Sequence, residues 1–163
     1  MLLGILSDSH GRHLVVRRAI KLLDSLGVGH LIHCGDVGGM EVFDEMVGRE
    51  CTFVWGNTDQ PCPSLEAYLD GVGIRVPDGV PKLLEFDGKR LAVFHGHERE
   101  FSSAPYALDV DYILHGHSHQ ARDDSLNGTR LINPGALHRA NPKTVATLDT
   151  RTDELAFHRI LQA

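Results

Sequence analysis

The 163-residue chain contains no apolar stretch near the ~18 residues that a membrane-spanning helix needs, so no membrane partner is expected. It has three cysteines, Cys34, Cys51 and Cys62, with no Cys-x-x-Cys spacing among them. An odd, scattered set argues against a disulfide framework and against a zinc ribbon, and it points to a reducing, cytoplasmic setting. Basic residues are outnumbered, 16 against 22, for a net charge of −6. The broad positive footprint that holds long nucleic acids is therefore absent. The apolar start, Leu2 to Leu6, has no basic lead and is cut short by Asp8, which reads as a first strand rather than a signal peptide. There is no internal repeat, low-complexity tract or linker, and the length suits a single domain over residues 1–163.

What the chain does have is histidine, eleven in all, at positions that matter more than their number. The first third alternates strand and helix. After Leu2 to Leu6, the residues Leu14, Val15, Ala19, Leu22, Leu23 and Leu26 recur at helical spacing and Gly27 supplies a stop. Leu31 to Cys34 reads as a second strand, Met40 to Val47 as a shorter helix and Thr52 to Trp55 as a third strand. Strands separated by helices imply parallel pairing through right-handed crossovers.

Beyond a possible short helix at Ser64 to Leu69, the pattern changes. Asp78-Gly79, Asp87-Gly88 and Asn127-Gly128 are hairpin-turn dipeptides. Strands are expected at Leu83 to Phe86, Leu91 to Phe94, Tyr112 to Leu114, Arg130 to Ile132, Val145 to Leu148 and Leu155 to Leu161. The fold class is α/β, with a parallel front half and more antiparallel pairing behind.

Polar residues gather where these strands end. The first runs into Asp8 and His10, the second into Asp36, and the third into Asn57; Leu91 to Phe94 runs into His95, and Tyr112 to Leu114 into His117 and His119. In α/β sheets, sites form outside the carboxyl ends of parallel strands, so five strands deliver Asp, His and Asn to what reads as one sheet edge. Asp8 and His10, like His117 and His119, are two apart, so an extended backbone points each pair the same way. One strand-end Asp or His usually caps a turn or meets solvent; seven in such an arrangement form a cluster with metal-ligand chemistry.

Asp8-Ser9-His10, Gly35-Asp36, Gly56-Asn57, the lone His95 and Gly116-His117-Ser118-His119 resemble, in order, the motifs of the calcineurin-like metallophosphoesterase family. Asn133-Pro134-Gly135 is similar to a segment of its small bacterial and archaeal phosphodiesterases. The resemblance covers roughly the whole chain and implies a four-layer αββα sandwich of two mixed sheets. It implies one metal held by Asp8, His10, Asp36 and His119, and a second that shares Asp36 as a bridge and takes Asn57, His95 and His117. Oxygen and imidazole donors suit two divalent ions, with manganese placed first and Ni, Fe, Co or Zn compatible. Two such ions outweigh the two carboxylates, Asp8 and Asp36, so the site should attract an anionic phosphate. A hydroxide bridging metals ~3.5–4 Å apart would attack phosphorus in line. The substrate is expected to be small and phosphorylated, a diester or a monoester.

The sequence departs from many larger relatives at Thr58, where they carry a histidine that contacts phosphate or assists the leaving group. His97 is the candidate to take that catalytic place beside Asp36 and Asn57, and Arg12, Thr58 and His138 are candidate substrate contacts. His33 reads as packed or hydrogen-bonded, His115 as a support behind the ligands, and Cys34, Trp55 and Phe94 as core. The rival reading is a non-catalytic scaffold resembling a retromer subunit of this fold. A repair nuclease is disfavoured by the short, acidic chain, and oligomer formation stays open.

Overall fold

The computed structural model describes residues 1–161, so the last two positions of the expected 1–163 domain lie outside the described residues. Ten strands form two five-stranded mixed sheets. The first sheet has the order β10-β9-β1-β2-β3, built from β1 (Leu2–Leu6), β2 (His30–His33), β3 (Cys51–Phe53), β9 (Thr144–Asp149) and β10 (Glu154–Arg159). The second has the order β4-β5-β6-β8-β7, built from β4 (Lys82–Phe86), β5 (Lys89–Val93), β6 (Tyr112–Leu114), β7 (Arg122–Leu126) and β8 (Thr129–Asn133). Strands β1, β2 and β3 run parallel, as the helical spacers required. The back half is more mixed than expected: β5, β6 and β8 are also parallel, and β4 and β7 flank them antiparallel.

Side-chain alternation sorts the core into layers. Leu3 and Ile5 of β1 and Ile32 of β2 meet Leu91 and Val93 of β5 and Leu114 of β6 between the sheets. Leu6 and Leu31 face the opposite way, toward α1 (His13–Ser25), α2 (Met40–Asp44) and α3 (Pro63–Gly71). On the far side of the second sheet, Ala92, Phe94 and Ile113 pack under Phe101 and Ala104, the latter opening the single-turn α4 (Ala104–Ala107). Two central sheets with helices outside give the expected αββα order, with one outer layer thin.

Three local expectations need correction. Asp78-Gly79 does not make a hairpin, because the segment before it leaves α3 as an irregular loop rather than a strand. Strand β7 carries no apolar alternation, since all five of its residues are exposed at a sheet edge; only its turn, Asn127-Gly128, marked it. The helix after Gly39 ends at Asp44 and continues to Gly48 only as turns. Among the described residues, no helix is long and apolar enough to cross a membrane.

Strand β2 ends on His33, which is fully buried. The Ser9 hydroxyl donates to the Val37 carbonyl at 2.9 Å and so accepts from His33 Nε2–H at 2.8 Å, as expected for a packed, hydrogen-bonded histidine. His33 Nδ1 is left as a bare lone pair with no partner among the described residues. Burial, then the neighbouring His95 ring, push its pKa down to about 3. Between pH ~6.5 and about 3 the unfolded chain binds a proton here that the folded chain refuses, so stability falls as pH falls. At ~1.4 kcal/mol per pH unit the loss is about 2 kcal/mol on going from pH 6.5 to 5. Denaturant unfolding of metal-free protein at pH 7 and pH 5 should show this loss, and His33→Gln should remove it. An equal acid loss in both proteins would refute the assignment.

Candidate metal centre

The carboxyl ends of β1, β2 and β3 and those of β5 and β6 come together where the two sheets face each other. The site is therefore a crevice between two sheet edges and not one edge, because the polar strand ends divide between the sheets. All seven ligand candidates meet there. Asp8, His10 and His119 form one group whose ligand atoms lie within 4.8 Å of one another, and Asp8, Asp36 and His95 form a second.

Distances between donor atoms test whether a divalent ion fits. Bonds of ~2.0–2.2 Å to N and O keep adjacent ligands roughly 3.0–3.5 Å apart. Asp8 Oδ1 lies 3.1 Å from His119 Nε2. Asp36 Oδ2 lies 3.5 Å from His10 Nε2 and 3.4 Å from His95 Nε2, midway between the two halves of the cluster. Asn57 Oδ1 is 3.0 Å from His95 Nε2 and 3.1 Å from His117 Nδ1. Asp8 Oδ1 and His10 Nε2 are buried with no hydrogen-bond partner among the described residues, an arrangement that is costly unless a cation completes it. The donor set fits divalent metal.

The surroundings aim these atoms. His95 Nδ1–H donates to the Cys34 carbonyl at 2.8 Å, which leaves the Nε2 lone pair facing the crevice. His10 Nδ1 is 3.5 Å from Thr58 Oγ1, again with Nε2 inward. Asp8 Oδ2 accepts from Ser7 Oγ at 2.6 Å and from the His117 amide at 3.0 Å, which frees Oδ1. Asp36 Oδ1 accepts the Thr58 amide at 2.9 Å, which frees Oδ2. Burial would raise the Asp36 carboxyl, but the Thr58 amide and hydroxyl together with the His95 and His10 rings outweigh it and hold the pKa below the usual value.

The backbone is not extended at the ligand pairs, contrary to expectation. Asp8, His10, Asp36, His117 and His119 have φ between 44° and 67°. These left-handed conformations are uncommon for residues other than glycine and turn the chain sharply enough for each paired side chain to reach the same crevice. Glycine serves where backbone crowds a carboxylate: a Cβ at Gly56 would overlap the amide and carboxylate of Asp36, and one at Gly116 would overlap Ser7 Oγ.

Among the substrate-contact candidates, Thr58 and His138 line the pocket together with His10, Asp36, Asn57, His117, His119 and Arg139. Arg12 stands behind His138, with its Nε–H donating to His138 Nδ1 at 3.3 Å. Burial, then Arg12, His10, Arg139 and His119, lower the His138 pKa, so this ring is neutral at pH 7. His97 is exposed and stands outside the pocket wall, its ring 5.3 Å from that of His95 and 6.2 Å from that of His117. His115 packs 4.7 Å from the Phe101 ring, behind the ligands.

Sequence reasoning passed over three residues that hold the loops. The Asp59 carboxylate accepts the amides of Val37, Gly38 and Gly56, tying the Asp36 loop to the Asn57 loop. Glu98 accepts the amides of His95 and Gly96 at 2.7 and 2.6 Å. Asn133 donates to the Gly116 carbonyl and Ser118 Oγ and accepts from Gly135. The only signal for the two acids was a carboxylate two or three residues past a ligand, and Asn133 was visible only as part of Asn-Pro-Gly.

Comparison with known proteins agrees with this geometry. A phosphodiesterase of Methanocaldococcus jannaschii is 27% identical over 161 residues, covering 94% of this chain and 96% of that protein. A probable metallophosphoesterase of Bacillus subtilis is 28% identical over 169 residues, covering 94% and 88%. Among solved structures, a novel archaeal phosphodiesterase superposes with a TM-score of 0.87 at 24% identity, covering 98% of this chain and 99% of that one. Vps29 from Entamoeba histolytica gives 0.68 at 18% identity, covering 98% of each chain, a likeness of fold alone. The calcineurin-like phosphoesterase superfamily domain matches residues 1–153, which include every ligand candidate and all strands but β10, and the chain belongs to that superfamily.

Proposed function

We propose that this superfamily member is a dinuclear metal-dependent phosphodiesterase acting on small phosphorylated substrates. One observation supports the two-metal part: Asp36 Oδ2 stands 3.5 Å from His10 Nε2 and 3.4 Å from His95 Nε2, an oxygen placed between imidazoles of both halves of the cluster. Asp8 and His119 complete the first set, and Asn57 and His117 the second. When bound, a pair of divalent cations polarises phosphoryl oxygens and ionises water near pH ~7. Donor chemistry is compatible with manganese, nickel, iron, cobalt or zinc.

The chain's own residues do the rest. His138 and Arg139 bring hydrogen-bonding and positive groups to the rim, where non-reacting phosphate oxygens would sit, with Arg12 behind His138. His138 Nδ1 is taken by the Arg12 N–H, so its proton resides on Nε2 and is available as a hydrogen-bond donor. A neutral imidazole does not protonate a departing alkoxide, and Thr58 has no acidic proton near pH 7. Esters with acidic leaving groups should therefore react fastest. A diester reading is favoured over a monoester because two further cavities adjoin the metal pocket, one sharing Thr58 with it and one of about 460 Å3 sharing His119 and Arg139. A diester has two arms to place.

Reconstitution with Mn, Ni, Co, Zn or Mg, followed by assay on a bis-nitrophenyl diester and on the nitrophenyl monoester, should give faster turnover of the diester by about tenfold or more. Full metal occupancy with no turnover of either compound would favour a scaffold role instead. Asp36→Ala should lower activity by at least ~10³-fold, an effect on the scale of losing a principal transition-state stabiliser. It should also reduce bound metal, measured by elemental analysis, more than Asn57→Ala does. Retention of two metals per chain in Asp36→Ala would sink the bridging assignment.

A further inference from the structure

Trp55 packs against the core as expected and is half-buried, with the rest of its ring open to a cavity. Its ring is fixed edge-on by Phe53 at 4.8 Å and Phe43 at 6.1 Å, with interplanar angles of 85° and 77°. With Phe43 and Leu65 it lines a cavity of about 220 Å3. That is below the ~300–1,000 Å3 of a site for a whole drug-sized ligand and suits a single ring. Thr58 lines both this cavity and the metal pocket, so the two are neighbours sharing one wall.

The polar groups of the cavity fit the same occupant. The Asp59 carboxylate, also in the lining, is consumed by three backbone amides and does not repel an electron-rich ring. Gln60 has no side-chain hydrogen-bond partner among the described residues, and its amide is free to meet a ring heteroatom or substituent. An immobilised indole recognises any flat π-face at little entropic cost.

We infer that the cavity walled by Trp55, Phe43 and Leu65 is a specificity subsite that seats a planar aromatic ester arm of the substrate, with phosphorus held across Thr58 in the metal pocket. This rests on the phosphodiesterase reading above. The substrate class is thereby narrowed to aryl- or nucleobase-bearing phosphodiesters, as against purely alkyl diesters.

Two non-cleavable probes test it on the metal-loaded protein. Benzylphosphonate and ethylphosphonate carry the same anionic head, and only the first carries a ring. Trp55 is the sole tryptophan of the chain, so its fluorescence reports on the cavity directly. Benzylphosphonate should quench that fluorescence and inhibit diester hydrolysis at about tenfold lower concentration than ethylphosphonate, which should leave the fluorescence unchanged. Trp55→Leu should bring the two inhibition constants close to each other. Equal constants in the unmodified protein, or no fluorescence response to benzylphosphonate, would overturn the subsite whether or not the variant folds. Hydrolysis without such discrimination leaves the proposed reaction standing and removes the subsite. Selective quenching in a protein that hydrolyses neither nitrophenyl ester keeps the subsite and removes the reaction.

Discussion

Two carboxylates, Asp8 and Asp36, are buried side by side in this fold, each with one oxygen turned toward imidazole nitrogens at the crevice. Unpaired buried charge is among the least tolerable features of a protein interior. The molecule answers in two ways. One oxygen of each carboxylate is bound by backbone N–H, from His117 for Asp8 and from Thr58 for Asp36. The other oxygen of each is left facing imidazole nitrogens at distances that match the ligand edges around a divalent ion. Most of the local architecture follows from holding those two oxygens in place.

Backbone strain is part of the same arrangement. Five ligand candidates sit in left-handed backbone, a conformation that costs on the order of 1–3 kcal/mol at each such residue. That cost is sustained because the loops are over-determined: Asp59 gathers three amides, Glu98 two, and Asn133 stitches the Gly116 turn to the Asn-Pro-Gly turn. A cation that binds only the folded arrangement stabilises it by mass action, so strain in the loops and metal affinity are two sides of one equilibrium.

Much of this was legible in the sequence, for identifiable reasons. The parallel order of β1, β2 and β3 follows from helix-length spacers, and the strand-end ligands follow from polar residues that interrupt apolar runs. Strand β7 was illegible because an edge strand exposed on both faces needs no alternation. The left-handed turns at Asp8, His10, His117 and His119 were illegible because only glycine announces positive φ in a sequence. Asp59 and Glu98 escaped because a carboxylate that binds amides looks, in one dimension, like any solvated acid. Trp55 packs against the core as expected, but its half-exposed side also lines a cavity, and an aromatic residue next to a strand end does not announce that second surface in sequence.

The short segment from Trp55 to Asp59 contributes to both the ligand-candidate cluster and the neighbouring cavity. Trp55 walls the cavity, Gly56 lets Asp36 approach, Asn57 turns its Oδ1 toward His95 and His117, and Thr58 separates the two compartments. Asp59 then fixes all of it to the Val37-Gly38 loop through the amides at both ends. A histidine in place of Thr58 would add an imidazole to a wall shared by both compartments, where Thr58 now contacts His10 and the Asp36 carboxylate. Steric room for an organic group and a proton donor compete for one position. In this chain the smaller side chain forms the wall common to the metal pocket and the Trp55 cavity, so the residue that lacks an acidic proton also takes little of the space between them.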